Sequence, residues 1–593
     1  MANFIAIVDP DAGRRDQFLR EVEPLVPPVP GLVPGSCAAG DFAVRWAADA
    51  HAPISVSADR GAAVIFGNAI RSAEEVRIGA DELRRQWLIL GSWAHEPLDG
   101  YFAALVYDAA GLLAGTDVLG RFPIYYAAAG DALLVGSSPE LFAHHRGFRA
   151  TFDPRGLVGI LLTNGLVEGR TLLSGVNRLA PGRTLFARTG LPVRENNQYD
   201  LPISDRYFDQ PFDRHVDLLD AALERTIRRR VSPSPRPALL LSGGLDSRTV
   251  AGYLARQGIS PLAVTHGDRD DLEMRCARSV VHELGFEHVM QASETDRLPE
   301  FAATRAKWEH CASGFSGIGS WGGQEALRRL AITVVSGHSM DWVIGGFESH
   351  GRDPSFDATF ASQNRWGLSP PVLARLLRRE VFGDAVAEVI AQLRARYEGY
   401  SDLGFQRAWG YALHHRQRFH IGALAWPQSF GSWPIVPAVD MTLLALAAGL
   451  PFETLDGRRL QIELLCRKFP RLARLPIDRN SYNVDPLLPD FWWKARRYIR
   501  RRVTRVKRAL SLERSPRQER RIYYRQFDIN GPRWRTLREA VEPLRSRGYE
   551  YFERAALDEL LPPPDVRIER EDPITGGAGI KTVMGFLMWL ARS

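Results

Sequence analysis

The stretch Ala238-Leu239-Leu240-Leu241-Ser242-Gly243-Gly244-Leu245-Asp246-Ser247-Arg248 decides the fold of this chain. Four apolar residues bounded by Pro237 and Ser242 predict a buried parallel strand, and Val250, Leu254 and Gly258 fit a helix of about three turns with a C-terminal stop. The paired glycines between them let backbone amides approach an anion at the helix N-terminus, where unsatisfied N–H groups and the macrodipole favour negative charge. Asp246 repels a phosphate unless a divalent cation lies between them, and Mg²⁺ takes one or two carboxylates together with substrate phosphates. A ligand-free tight turn is the competing reading of two glycines alone. The lysine of a Walker A loop is missing, which excludes that type of phosphate site.

The chain on either side supports the phosphate cradle. Pro261 to Thr265 reads as a second strand; Leu272, Cys276, Val280 and Leu284 mark a helix stopping at Gly285; Glu287 to Met290 resumes extended structure. Such alternation builds a parallel sheet whose ligands collect at the carboxyl ends of the strands. A further strand, Ala331 to Val335, leads into Ser336-Gly337-His338-Ser339-Met340-Asp341-Trp342-Val343-Ile344-Gly345-Gly346-Phe347. That loop brings Asp341 to the same sheet edge as Asp246, where two carboxylates suit a bridging Mg²⁺; a helix N-cap is the plainer role for Asp341 taken alone.

Ser242 to Ser247 matches the Ser-Gly-Gly-x-Asp-Ser pyrophosphate loop of ATP pyrophosphatases, and Ser336 to Gly346 is similar to the second signature of the asparagine synthetase family. The likeness continues at Pro437-Ala438-Val439-Asp440 and Leu475-Pro476-Ile477-Asp478-Arg479. Toward the N-terminus, Leu98-Asp99-Gly100-Tyr101-Phe102-Ala103, Asp117, Gly120 to Tyr126 and Ser137-Ser138-Pro139-Glu140 resemble the glutamine-hydrolysing half of class II amidotransferases. The resemblance implies an α/β protein with an N-terminal layered β-rich Ntn-glutaminase-like domain over 1–205. A parallel-sheet ATP-pyrophosphatase-type synthetase domain, adenine nucleotide alpha hydrolase-like, follows over 206–593 with a basic helical C-terminal extension. It implies ATP and Mg²⁺ as cofactors. Leu240, Ser242, Gly243, Gly244, Asp246, Ser247, Val264 and Gly337 are then the nucleotide-binding positions, Asp246 and Asp341 the metal ligands, and His338 and Arg479 the catalytic candidates.

Two departures from that family redirect the function. The family's glutaminase uses a cysteine exposed as the first residue after Met removal, whereas this chain reads Met1-Ala2-Asn3-Phe4, and alanine has no nucleophilic atom. Glutamine hydrolysis is therefore not expected, and the amine must be free ammonia or belong to the substrate. The second option resembles two branches of the family, β-lactam synthetases and the macrolactam synthetases that close lasso peptides. The family's stabilising lysine is also replaced: this chain has Arg479-Asn480-Ser481, leaving Arg479, Lys468, Lys494 and Lys581 as unranked substitutes. His338 stands where asparagine synthetases carry glutamate, and it either accepts a proton near neutral pH or only hydrogen-bonds its loop.

The expectation is an AMP- and pyrophosphate-forming carbon–nitrogen ligase of lasso-peptide type, acting on a precursor or core peptide, with a leader peptidase and a leader-binding protein as partners. Ammonia-dependent amidation of a small acid or sugar, a β-lactam-type cyclase and a non-catalytic nucleotide-binding scaffold are the alternatives. The 593 residues, 45% hydrophobic and 24% charged, suit two globular cores. Cys37, Cys276, Cys311 and Cys466 lack metal-type spacing, and no signal or membrane-spanning stretch is visible, so a reduced cytoplasmic setting is expected. The net charge of +7 concentrates from Lys494 to Arg521. This run reads as a solvated basic helix or a docking surface for an acidic peptide, with no nucleic-acid reading motif beside it.

Overall fold

A computed structural model describes residues 2–59, 61–90, 97–233, 235–292, 297–315, 319–345, 351–478, 484–495, 497–499, 503, 522–570, 572 and 575–592. The N-terminal half is a two-layer antiparallel structure. One sheet runs in the order Asn177–Arg178, Tyr125–Ala129, Ala132–Gly136, Ala2–Val8, Phe42–Ala48, Val33–Ala39. The other runs Arg194–Asn197, Arg183–Ala187, Gly111–Thr116, Leu98–Asp108, Ala62–Arg71, Ile54–Ala58, with Val76–Arg77 paired to Ala62–Arg71. Their inner faces meet through aromatic rings: Phe4 stacks on Phe66 at 4.8 Å and Phe42 on Tyr107 at 5.3 Å. Every residue of Ala2–Val8 is buried, and Ala2 opens this interior strand opposite Ala48.

The second half is built on five parallel strands in the order Glu287–Gln291, Leu262–His266, Ala238–Leu240, Thr333–Val335, Trp433–Ile435. Their short apolar runs are what a sheet covered by helices on both faces requires. The helix Leu272–Leu284 ends at Gly285, whose φ of +69° makes the left-handed cap that a Cβ would disfavour. Together with the layered N-terminal sheets, this confirms the α/β class read from the sequence.

The two halves share one continuous apolar core, and a buried ion cluster bridges them. Arg229 and Arg230 end the helix Phe212–Arg230 and reach both Asp99, on the strand Leu98–Asp108, and Asp440. Arg230 Nε donates to Asp440 Oδ2 at 2.7 Å, and Arg229 Nη2 to Asp99 Oδ2 at 2.6 Å. Burial alone would raise the Asp440 carboxyl, but Arg230 and Arg229 outweigh it and hold Asp440 well below the usual carboxylate range. The motifs Leu98 to Ala103 and Pro437 to Asp440 thus meet at the junction between halves.

The C-terminal segment differs from a free extension. The helix Ala578–Leu590 is apolar but for Lys581 and Thr582 and is largely buried, packed against Leu298–Glu309, with Thr582 Oγ1 donating to Asn164 Oδ1 at 2.9 Å. Of the basic run, 491–495 and 497–499 are helical, with Phe491, Trp492, Tyr498 and Ile499 exposed; most of Arg500 to Arg521 lies outside the described residues. Among the described residues no helix is long and apolar enough to cross a membrane.

Candidate active site

The pyrophosphate-type loop leaves the strand Ala238–Leu240 and enters the helix Leu245–Arg256 through Gly244, whose N-cap position carries no side-chain hydrogen bond. Inside the loop the Ser242 amide donates to Ser247 Oγ at 3.2 Å, and the Gly244 amide to Ser242 Oγ at 3.3 Å. Gly243 has φ +72°, and a Cβ there would lie 2.5 Å from the Ala277 nitrogen, so only glycine fits. Arg248, fully buried, pins the loop from behind: it donates to the carbonyls of Gly243 at 2.9 Å and Leu472 at 2.7 Å, and burial lowers its guanidinium to about 10. Gly244 also bridges to Asp478, which brings the Leu475 to Asp478 motif beside the loop. Arg479 and Ser481 lie outside the described residues.

The second loop folds directly onto the first. The Ser336 amide donates to the Ile435 carbonyl at 3.0 Å, and Gly337 lies so close to Asp246 that an added Cβ would fall 2.7 Å from its carbonyl carbon. Ser339, at φ +65°, turns the chain into the short helix Met340–Val343. Ser339 therefore occupies the N-cap, and Asp341 lies in the first turn, free for another role. Burial first, and then the charge of Asp246, push the Asp341 carboxyl up to about 6. Asp246 itself accepts a hydrogen bond from Gln461 Nε2 at 3.0 Å and an ion pair from Arg458. Two mutually repelling carboxylates at one rim form a donor set that fits Mg²⁺. Among the described residues no third His, Cys, Asp or Glu joins them, which leaves the remaining coordination positions to phosphate and water.

Beside the loops lies a cavity of about 300 Å³. Leu240, His266, His338 and His420 line it from the sheet side, and Phe527 and Trp534 from the returning C-terminal segment. Burial, then the neighbouring His266, depress the His338 imidazole to about 4, so it is neutral at physiological pH. Val264 pairs with Leu240 in the sheet but is buried among Leu262, Leu327 and Val334. The structure thus places Leu240 and His338 on the cavity wall, brings Gly337, Asp246, Ser247 and Asp341 together where the two loops meet, and leaves Val264 in the sheet layer beneath.

The cations separate clearly. Lys468 pairs with Asp217 and Asp220 at 3.1 and 3.2 Å. Lys494 is exposed, and Lys581 is sealed in the interior, where its Nζ donates to the Phe527 carbonyl at 2.7 Å over the Trp534 ring. Arg458, Gln461, His266 and His420 were not distinguishable in the sequence, because their proximity depends on tertiary packing.

Residues 218–481 match the family model described as asparagine synthase, which spans both nucleotide-type loops, and residues 82–199 match the glutamine amidotransferase domain model. Over these residues the chain is similar to the asparagine synthase family. Asp99 lies within the amidotransferase match and Asp440 within the asparagine synthase match, so the buried ion cluster joins the two matched regions. Among curated proteins the chain is similar to the carboxyethyl-arginine β-lactam-synthase of Streptomyces clavuligerus, at 29% identity over 32% of this chain and 35% of that protein. It is also similar to the amidase chry2 of Gibberella zeae, at 25% over 43% and 41%, and the amidase chyE of Penicillium rubens, at 29% over 27% and 24%. The chain therefore spans between 24% and 41% of the length of these relatives.

Proposed function

We propose that the protein is an ATP-dependent carbon–nitrogen ligase that adenylates a carboxylate of a peptide and closes a macrolactam with the same peptide's amine. The observation that carries this reading is the placement of Asp246 and Asp341 at one rim, beside an uncapped helix N-terminus. A carboxylate oxygen attacks the α-phosphorus of ATP and pyrophosphate leaves. The amine then attacks the acyl carbon, AMP leaves, and the proton passes from the amine to the neutral imidazole of His338. The amides of Ser242 to Ser247 bind and orient the leaving pyrophosphate. When bound, Mg²⁺ held by Asp246 and Asp341 supplies charge neutralisation of the phosphates. Holding acid and amine in one cleft removes an entropic barrier that reaches ~7 to 11 kcal/mol.

A small-acid cyclase of β-lactam-synthase type is the second reading. The cavity of about 300 Å³ favours it, being sized for a compact substrate. Precursor or core peptide, leader peptidase and leader-binding protein are partners under the first reading only. The test is ATP–pyrophosphate exchange with a candidate precursor peptide and a panel of small amino diacids, followed by mass spectrometry. Loss of one water from the peptide supports macrolactam closure, and exchange driven only by small acids supports the second reading. No exchange with any carboxylate reduces the protein to a nucleotide-binding scaffold.

A further inference from the structure

Arg458 is placed by an unusual piece of backbone. Gly457 and Arg458 are both left-handed, at φ 60° and ψ 16° and 27°, immediately before the helix Arg459–Lys468. A side chain with a Cβ adopts this conformation only when its surroundings impose it. The imposed result is a stem laid across Gly345 of the Asp341 loop, where an added Cβ would sit 2.9 Å from Arg458 Cγ. Its guanidinium reaches Asp246 and also donates to Gln461 Oε1 at 2.6 Å, while Gln461 in turn donates to Asp246 and Thr249. Nε is buried with no hydrogen-bond partner. The same guanidinium counters the charge felt by Asp341. Among the described residues it is the basic side chain that hydrogen-bonds Asp246.

We propose that Arg458 is a triphosphate-binding residue of this cleft: it balances Asp246 in the free protein and transfers its guanidinium to the phosphates when nucleotide enters. Bonds from Nη2 to Asp246 and Gln461 leave Nε and further donors of the five-donor guanidinium fork for another acceptor. Strain at Arg458 is then the backbone's contribution to aiming that fork at the loop amides. The inference rests on the reading of this cleft as a nucleotide site, and not on which acid is adenylated.

The experiment is calorimetric titration of the full chain with ATP, with and without Mg²⁺, and separately with adenosine, for wild type, Arg458→Met and Arg458→Lys. Loss of a charge-assisted phosphate contact should weaken ATP binding of Arg458→Met about ten- to a hundredfold, leave adenosine binding unchanged, and leave Arg458→Lys between the two. ATP and adenosine weakened equally would make Arg458 a structural residue and overturn the proposal. Unchanged or tighter ATP binding overturns it too, the latter by making the arginine a competitor of the nucleotide. If wild type binds ATP with the expected Arg458 dependence yet exchanges no pyrophosphate, the ligase reading fails while this assignment stands.

Discussion

Replacing Asp341 with asparagine should stabilise the nucleotide-free protein in alkaline solution while destroying its chemistry. Burial and the Asp246 charge raise the Asp341 carboxyl from 3.8 to about 6. Between those values the folded state keeps a proton that the unfolded chain has lost, so stability falls as pH rises through this window. The full conversion of that shift is on the order of 3 kcal/mol. The cleft admits solvent to Asp341, and screening reduces the figure to about 1 to 2 kcal/mol. Asp341→Asn should therefore be more resistant to urea than wild type by about 1 to 2 kcal/mol at about pH 8, with no difference at about pH 4. Mg²⁺-dependent ATP–pyrophosphate exchange should vanish in the same variant at both pH values. In wild type it should rise with pH to a plateau whose midpoint lies below about 6 and falls further as Mg²⁺ is raised, because the cation competes with the proton for the carboxylate. A variant destabilised equally at both pH values would refute the argument that the charge, and not the shape, of Asp341 is the costly element. Retained exchange would remove Asp341 from the metal site.

His338→Phe should slow amide closure more than adenylation, seen as near-normal pyrophosphate exchange with accumulating acyl-adenylate; with the imidazole at about 4, wild-type closure should show no titration by His338 above about pH 5. Gly243→Ala should lose exchange and unfold more readily by at least about 1 kcal/mol, because φ +72° and a backbone nitrogen 2.5 Å from the new Cβ both oppose it; differential scanning calorimetry reads this directly. Asp440→Asn leaves Arg229 and Arg230 facing Asp99 alone, and should cost about 3 to 5 kcal/mol of stability in urea titrations. A cost below about 1 kcal/mol would show that the cluster is not closed to water.

The parallel sheet and its two acidic loops were legible because their signals are local. Leu239, Leu240 and Leu241 announce a buried strand, Gly285 stops a helix through its left-handed φ, and Gly243 marks a turn that no other residue fills. Asp341 was legible at one remove, since alternating strands and helices deliver successive loops to one edge. Arg458 was not, because Gly457-Arg458-Arg459 before an amphipathic helix reads as an exposed helix start, and only tertiary contact with Gly345 turns that arginine inward. Arg229 and Arg230 were hidden the same way: cations in the last turn of a helix are ordinarily solvated there, offsetting the helix dipole. The cavity wall at Phe527 and Trp534 depends on the return of the helix Ala578–Leu590, whose apolar residues on either side of Lys581 and Thr582 signal burial without saying against what.

The ion cluster and the cleft of Asp246 and Asp341 are mechanically adjacent, and this bears on why a β-layered half is joined to the parallel-sheet half. Asp440 follows the strand Trp433–Ile435 by a single short turn, Pro437–Val439, and that turn packs against the helix Met340–Val343 that carries Asp341. The Ile435 carbonyl also accepts from Ser336, the residue that starts the Asp341 loop. Asp99, Arg229 and Arg230 hold the far end of the same turn. Without Asp99, two guanidiniums would share one carboxylate in a buried site, and the least costly relief would be movement of the Asp440 turn toward water. That movement would shift the support under Asp341, whose carboxyl feels the Asp246 charge and whose loop meets Asp246 at Gly337, where a Cβ has no room. The N-terminal sheets thus act on the rim that carries Asp246 and Asp341 through geometry, as the fixed wall against which the Asp341 loop is positioned.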